Sequence, residues 1–208
     1  MNILSYLRKR LKSLMEKSSA IVINSLTDYG YWDELYWQHD VSEEVKNNIL
    51  IAKQIFNKKL TTEYPFLIFK DNWTGEISKD YDYSFTLIDD LPRGWMIAFG
   101  DNLLKELKQE LLSENLLEKY SILQIKEKYG GLRWYDYGGT DKWYNEILPK
   151  YEELSFKTCI CCGKPAKWIS KGWIAPYCDK CKIEAEQHEL KGLKQVYIQF
   201  TPVEEVKQ

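Results

Sequence analysis

Cysteine is missing from the first 158 residues, then occurs five times between 159 and 181. A disulfide-stapled secreted chain spreads its cysteines through the fold, so this confinement excludes that class and favours metal binding in a reducing compartment. Histidine is almost absent: His39 and His188 stand alone, and neither is paired with a nucleophile. There is no phosphate-cradling glycine loop and no nucleophile elbow, which removes the commonest nucleotide-binding and acyl-transfer signatures. No apolar run approaches the roughly 18 residues that span a bilayer. The N-terminal segment lacks the apolar stretch and small-residue cleavage site of a secretory leader, so the expected location is the cytoplasm. Internal repeats and low-complexity stretches are lacking too.

What is there in quantity is aromatic: eight Trp and fifteen Tyr among 208 residues, with 44% hydrophobic and 29% charged residues, as in an ordinary globular protein. The net charge of -2 conceals a polarised layout. Residues 1–20 carry five Lys/Arg against one acid, residues 21–156 fifteen against twenty-four, and residues 157–194 eight against four. An acidic body between two basic pieces does not suit a general nucleic-acid coater, which needs an extended basic track. It fits a protein-binding surface better.

Ile3, Leu4, Leu7, Leu11, Leu14 and Met15 form a stripe at helical spacing over residues 3–15, read as a helix packing on the body or, alternatively, on a membrane surface or partner. Residues 29–37 are an aromatic cluster without a clean period. Asp40 with Glu43 resembles a capping box opening a helix over 41–59, with Val45, Ile49, Ala52, Ile55 and Phe56 on its apolar stripe. Phe66–Phe69, Glu76–Ser78 and Tyr83–Ile88 read as strands. Leu91-Pro92-Arg93-Gly94 feeds a helix whose face recurs at Met96, Phe99, Leu103, Leu107 and Leu111, weakened at Gly100. Ser121–Lys128 and Leu132–Tyr137 flank Tyr129-Gly130-Gly131 as a hairpin. Residues 143–156 read as a helix bent at Pro149. Residues 195–200 alternate as a strand ended by Pro202.

Cys159 and Cys162, then Cys178 and Cys181, are two C-x2-C pairs separated by fifteen residues. Each such turn presents two sulfurs from one tight loop, and four soft thiolates suit a tetrahedral structural zinc. Trp168-Ile169 and Trp173-Ile174 around Ser170-Lys171-Gly172 suit a short hairpin, and residues 182–190 read as helix. Knuckle, hairpin and helix in that order resemble a treble-clef finger. An iron–sulfur cluster and a redox dithiol are the competing uses of such thiols. Cys161 lies between two ligands and is read as a bystander. Four cysteine ligands leave no open position for catalysis. Lys157, Lys164, Lys167, Lys171, Lys180 and Lys182 either touch nucleic acid or offset the charge of about -2 on a four-thiolate zinc, and the second is the simpler account.

Three further constellations carry candidate chemistry. Gln124, Lys126, Lys128, Arg133, Tyr135 and Tyr137 share one hairpin face, where bases would stack on rings beside cations; Leu123, Ile125, Leu132 and Trp134 are assigned to the other. Asp89, Asp90, Glu127 and Asp136 form a possible carboxylate set for a hydrolase or nuclease, although no motif fixes their geometry. Tyr31, Trp32, Tyr36 and Trp37 are candidate anchors for a protein partner, because Trp and Tyr dominate binding hot spots; packing against the 41–59 helix is their alternative use.

Certain runs carry a resemblance: Leu91-Pro92-Arg93-Gly94-Trp95 with Phe99-Gly100, then Leu123 through Gly130, then Leu132-Arg133-Trp134-Tyr135-Asp136. They continue with Leu154-Ser155, the first cysteine pair with Gly163-Lys164-Pro165-Ala166, and Gly172-Trp173-Ile174 before the second pair. Over residues 91–181 the chain resembles a group of small proteins carried by phages and prophages, a group that brings no established activity. The resemblance implies a mobile-element setting in a bacterial cell, where accessory proteins act on host machinery.

The expected fold is α+β: antiparallel strands with packed helices and an embedded treble-clef-like four-cysteine zinc module. The expected segments are a helical region at 1–60, a body at 61–156, the zinc module at 157–192 and a C-terminal strand and tail at 193–208. The leading functional expectation is a non-enzymatic accessory protein that binds a host protein, such as a defence component. The alternatives are a nucleic-acid binder using the zinc module and the 121–137 hairpin, and the carboxylate enzyme.

Overall fold

A computed structural model describes residues 21–37, 41–71, 74–189 and 199–203. The expected stripe at 3–15, His39, Asp40, the side chain of His188 and most of the 195–200 strand lie outside them.

Ser25 caps the first described helix, α1 (Leu26–Tyr36), accepting the Asp28 N–H at 3.2 Å. The aromatic cluster without a period is therefore a helix. It is set against other elements on more than one side, and that hides its period. Leu26, Tyr29 and Leu35 are buried, and Gly30 faces Arg93, whose Cγ would lie 3.1 Å from an added Cβ. Ser42, not Asp40, caps α2 (Glu43–Glu63). Ile49, Ala52, Lys53, Phe56, Asn57, Leu60 and Thr61 form its buried stripe at helical spacing, while Ile55 points to solvent. Burying Lys53 requires partners, and it finds Asp33 of α1 and Asp89 at 3.3 Å.

The three strands expected between 66 and 88 do not form. The segment instead holds 3-10 turns at Pro65–Leu67 and Leu87–Asp90, joined by irregular chain. Side chains there satisfy the backbone locally: Asp71 Oδ1 accepts the Thr74 N–H at 2.8 Å, and Asp82 Oδ1 accepts that of Ser84 at 2.9 Å. Such bonds compete with a ladder, and the short apolar runs beside them form none. Thr86 and Asp89 form a capping box on the second turn, so the capping carboxylate is Asp89 and not the exposed Asp90.

The next helix is built in three pieces: an α turn Arg93–Trp95, a π segment Met96–Gly100, and α3 (Asp101–Ser113). The weak point expected at Gly100 is this π segment. Strands β1 (Ser121–Lys128) and β2 (Gly131–Tyr137) pair antiparallel through a two-residue turn, Lys128 facing Gly131. Tyr129 at φ 55 and Gly130 at φ 80 give the mirror-image turn that fits strand twist. A bulge between Ile122 and Gln124 leaves Leu123 unopposed and turned outward, against its assignment to the inner face. The π segment Trp143–Ile147 leads into α4 (Leu148–Phe156), which absorbs Pro149 in its first turn, where no N–H is needed.

One hydrophobic core joins these parts, from Ile23 and Trp32 through Leu107 to Trp134 and Tyr151. Buried residues between Ile23 and Leu60 thus share a core with those of the 61–156 body. The architecture is mixed, helices packed with antiparallel strands. Three rings place their polar tips on one half-buried acid, Asp136. Tyr120 and the Trp143 indole both donate to Asp136 Oδ2 at 2.6 Å, and Tyr144 donates to Oδ1 at 2.7 Å. Trp134 donates to Tyr120 at 2.8 Å. Burial and the Asp136 charge drive the Tyr120 phenol well above its ordinary range, so it is a fixed donor. Asp136→Ala strands two buried donors and should cost about 3 kcal/mol or more in chemical denaturation, whereas Asp90→Asn should stay within about 0.5 kcal/mol.

Candidate metal centre and binding faces

The first cysteine pair sits in a knuckle closed by the Cys159 N–H to Lys164 carbonyl bond (2.7 Å) and the Gly163 N–H to Cys159 carbonyl bond (3.0 Å). Gly163 takes φ 75, open to glycine at little cost. Strands β3 (Trp168–Ser170) and β4 (Pro176–Tyr177) follow as a hairpin. Cys178 directly precedes α5 (Asp179–Glu189), and Cys181 lies in its first turn, at the positive end of the helix dipole. The C-terminal β5 (Phe200–Pro202) adds to β3, giving the order β4-β3-β5.

The Sγ atoms of Cys159, Cys162, Cys178 and Cys181 all lie within 4.8 Å of one another, and all four residues are buried. The Cys162 and Cys178 sulfurs are 3.6 Å apart. Sulfurs about 2.3 Å from a tetrahedral ion have edges of roughly 3.8 Å, so the set fits a metal. Cys159 is held far below its ordinary range, chiefly by S–H donation from Cys161 and then from Cys162 and Cys181. The same sharing pushes Cys162 up to about 11. A second thiolate in this space needs a cation. Cys161 is half-buried beside the cluster and outside the four-sulfur set.

The knuckle is seated on the body by backbone contact. Gly94 N–H donates to the Ile160 carbonyl at 2.8 Å, and the Trp95 indole donates to that of Thr158 at 3.1 Å. A Cβ on Gly94 would stand 2.1 Å from the Cys159 carbonyl oxygen, and one on Gly163 would stand 2.6 Å from that of Gly94. The hairpin tip is the second seat. A Cβ on Gly130 would lie 3.3 Å from Ile174, and Glu127 accepts Gly130 N–H at 2.6 Å with one oxygen and the Trp173 indole at 3.0 Å with the other.

The four carboxylates proposed as an enzyme centre are not brought together. Asp89 serves Tyr29, Thr86 and Lys53; Glu127 serves the hairpin turn and Trp173; Asp136 serves three aromatic donors. Among the described residues, the four cysteines are the cluster whose ligand atoms converge. A groove of about 280 Å³ runs beside β1, bounded by Phe66, Phe69, Leu87, Leu123 and Tyr137, with Lys70 and Asp71 also in its lining.

The aromatic anchors divide. Trp32 is 3% exposed and belongs to the core, which removes it from any interface. Tyr31 is half-buried with the Arg93 guanidinium 5.4 Å from its ring centre. Tyr36 packs on the core, and Trp37, 72% exposed, meets it edge-on at 5.1 Å. Of the module's lysines, Lys157, Lys167, Lys180 and Lys182 pair with Glu153, Asp179, Glu184 and Glu186. Their charge is met locally, which weakens the zinc module as a phosphate track.

The hairpin's outer face is different. Gln124 opposes Tyr135 and Lys126 opposes Arg133, so the expected polar face forms. Lys126 Nζ lies 5.0 Å from the Tyr135 ring centre, and Tyr135 and Tyr137 are exposed. Lys128 Nζ lies 5.4 Å from the ring of Tyr129, which is 68% exposed at the tip. Trp173, 78% exposed, was read from sequence only as part of a hairpin; its proximity to the 129–130 turn is tertiary, and no local signal announces it.

Purified protein should carry one metal ion per chain by elemental analysis. Cys159→Ser or Cys178→Ser should lose it and melt far lower, while Cys161→Ser should keep full content. Gly94→Ala should cost at least about 2–3 kcal/mol in denaturation, because backbone must move to admit the methyl group.

No protein-family model matches the chain, and no curated protein or solved structure is significantly similar to it.

Proposed function

We propose that the protein is a non-catalytic, zinc-stabilised nucleic-acid-binding protein, with the outer face of the β1–β2 hairpin as its binding surface. The observation that carries this is the alternation of Lys126 and Lys128 with the exposed rings of Tyr135, Tyr137 and Tyr129 on one face and its tip. Lysines attract phosphate, and phenol rings stack on bases of any sequence. Zinc is the proposed metal, since four buried thiolates in a tetrahedron favour it, and knuckle, hairpin and helix make the module of treble-clef type. Its role is structural: a closed four-sulfur shell has no place for substrate water. A phage or prophage setting in the bacterial cytoplasm is part of the proposal, resting on the resemblance of residues 91–181.

A second reading, contact with a host protein such as a defence component, keeps one specific support in Trp37, exposed at the end of α1 with Tyr36.

Binding to short oligonucleotides should weaken steeply with salt, and the double variant Lys126→Ala/Lys128→Ala should flatten the slope of log K against log salt by about 1–2. A wild-type protein that binds no oligonucleotide at about 50 mM salt would sink the nucleic-acid reading. Iron found in place of zinc would sink the metal assignment.

A further inference from the structure

We infer that the ligand is single-stranded and that its bases stack at the hairpin tip, on Trp173 and Tyr129, two rings delivered by different parts of the chain. This rests on the proposed nucleic-acid reading and names the ligand's form and the residues that grip it.

Trp173 is the most exposed large apolar side chain described, at 78%, yet its edge is tied down. The indole N–H donates to Glu127 Oε2 at 3.0 Å, and Glu127 Oε1 is itself fixed on the Gly130 N–H. A ring immobilised in solvent contributes little to the core and loses rotamer freedom. What it gains is a pre-set flat face, the property that a stacking platform needs.

Tyr129 is placed with similar firmness. It occupies the left-handed region at φ 55, where the paired strands hold it, and its ring is 68% exposed. Gly130, its neighbour, packs directly against Ile174, the residue after Trp173. The two rings therefore flank one seam, Tyr129 from the body and Trp173 from the loop between β3 and β4.

The charge around the seam selects the ligand. Lys128 lies against Tyr129, Lys171 is exposed two positions before Trp173, and Glu127 between the rings' supports is occupied by its two donors. Cations beside open rings suit a phosphodiester chain whose bases are free to turn outward. A duplex keeps its bases stacked inside and would meet the lysines alone.

The test is fluorescence anisotropy with a labelled oligothymidylate and a duplex of equal length, on the metal-loaded full chain. Trp173→Ala should weaken oligothymidylate binding about 5- to 150-fold without changing the salt slope, because a stack and no phosphate contact is lost. Tyr129→Asn should act in the same direction, and asparagine tolerates the left-handed turn, so the hairpin survives. Metal content and melting temperature should remain those of the wild type in both. If wild type binds the oligonucleotide and both variants bind as well, the tip is overturned while the hairpin-face reading stands. Equal or tighter binding of the duplex overturns the single-stranded assignment. Equal competition by polyglutamate overturns it too, in favour of an acidic protein partner. Absence of any oligonucleotide binding by the wild type overturns both readings together.

Discussion

Between Gly94 and the carbonyls of Cys159 and Ile160 there is no room for a methyl group, and this backbone-on-backbone contact governs how the two parts of the protein are joined. Main chain at such range admits no side-chain adjustment, so the placement of the knuckle at this contact is fixed. The helix that starts at Arg93 begins at that seat, its first turn using the Ile160 carbonyl as an acceptor. Trp95, fully buried in the core, reaches back to Thr158 and fixes the direction of approach. A metal in the four-sulfur site would hold the knuckle's shape, and through it the position of every residue between Cys162 and Cys178.

Several of the large rings that stand out in the composition are buried with a carboxylate at their polar tip. Asp136 gathers three aromatic donors, Asp89 accepts from Tyr29 and pairs with Lys53, and Glu106 accepts from Tyr151 at 2.9 Å. Each acid satisfies a polar tip that would otherwise make a large ring expensive to bury. Most other acids of the body stay at the surface, while the hairpin face carries Lys126 and Lys128 beside exposed tyrosine rings.

Features that repeat with the period of the chain were legible in the sequence. The α2 stripe, the two hairpin strands and the two cysteine pairs all announce themselves through spacing. Features decided by a neighbour were not. Leu123 alternates correctly for an inward residue, but one extra position in β1 turns it out. The apolar runs at 66–69 and 83–88 look like strands and find no ladder: backbone bonds of a 3-10 turn take the Leu67 and Ile68 N–H groups, and Asp82 and Asp89 take those of Ser84 and Thr86. Trp32 and Trp37 are five residues apart in one aromatic run, yet one ends in the core and the other in solvent. At the metal centre the ligands were evident, but the seat at Gly94 and the clamp of Trp173 by Glu127 join residues more than forty positions apart.

The two π segments, Met96–Gly100 and Trp143–Ile147, each accommodate one residue more than a regular helix of the same rise. One residue corresponds to about 100° of rotation. A single deletion inside Met96–Gly100 would therefore leave a regular helix whose Leu103, Leu107 and Leu111 still face the interior they now fill. The same deletion within Asp101–Ser113, where no residue is spare, would swing every later position of that helix by about 100°. The fold's tolerance of a shortened chain thus depends on which turn is shortened.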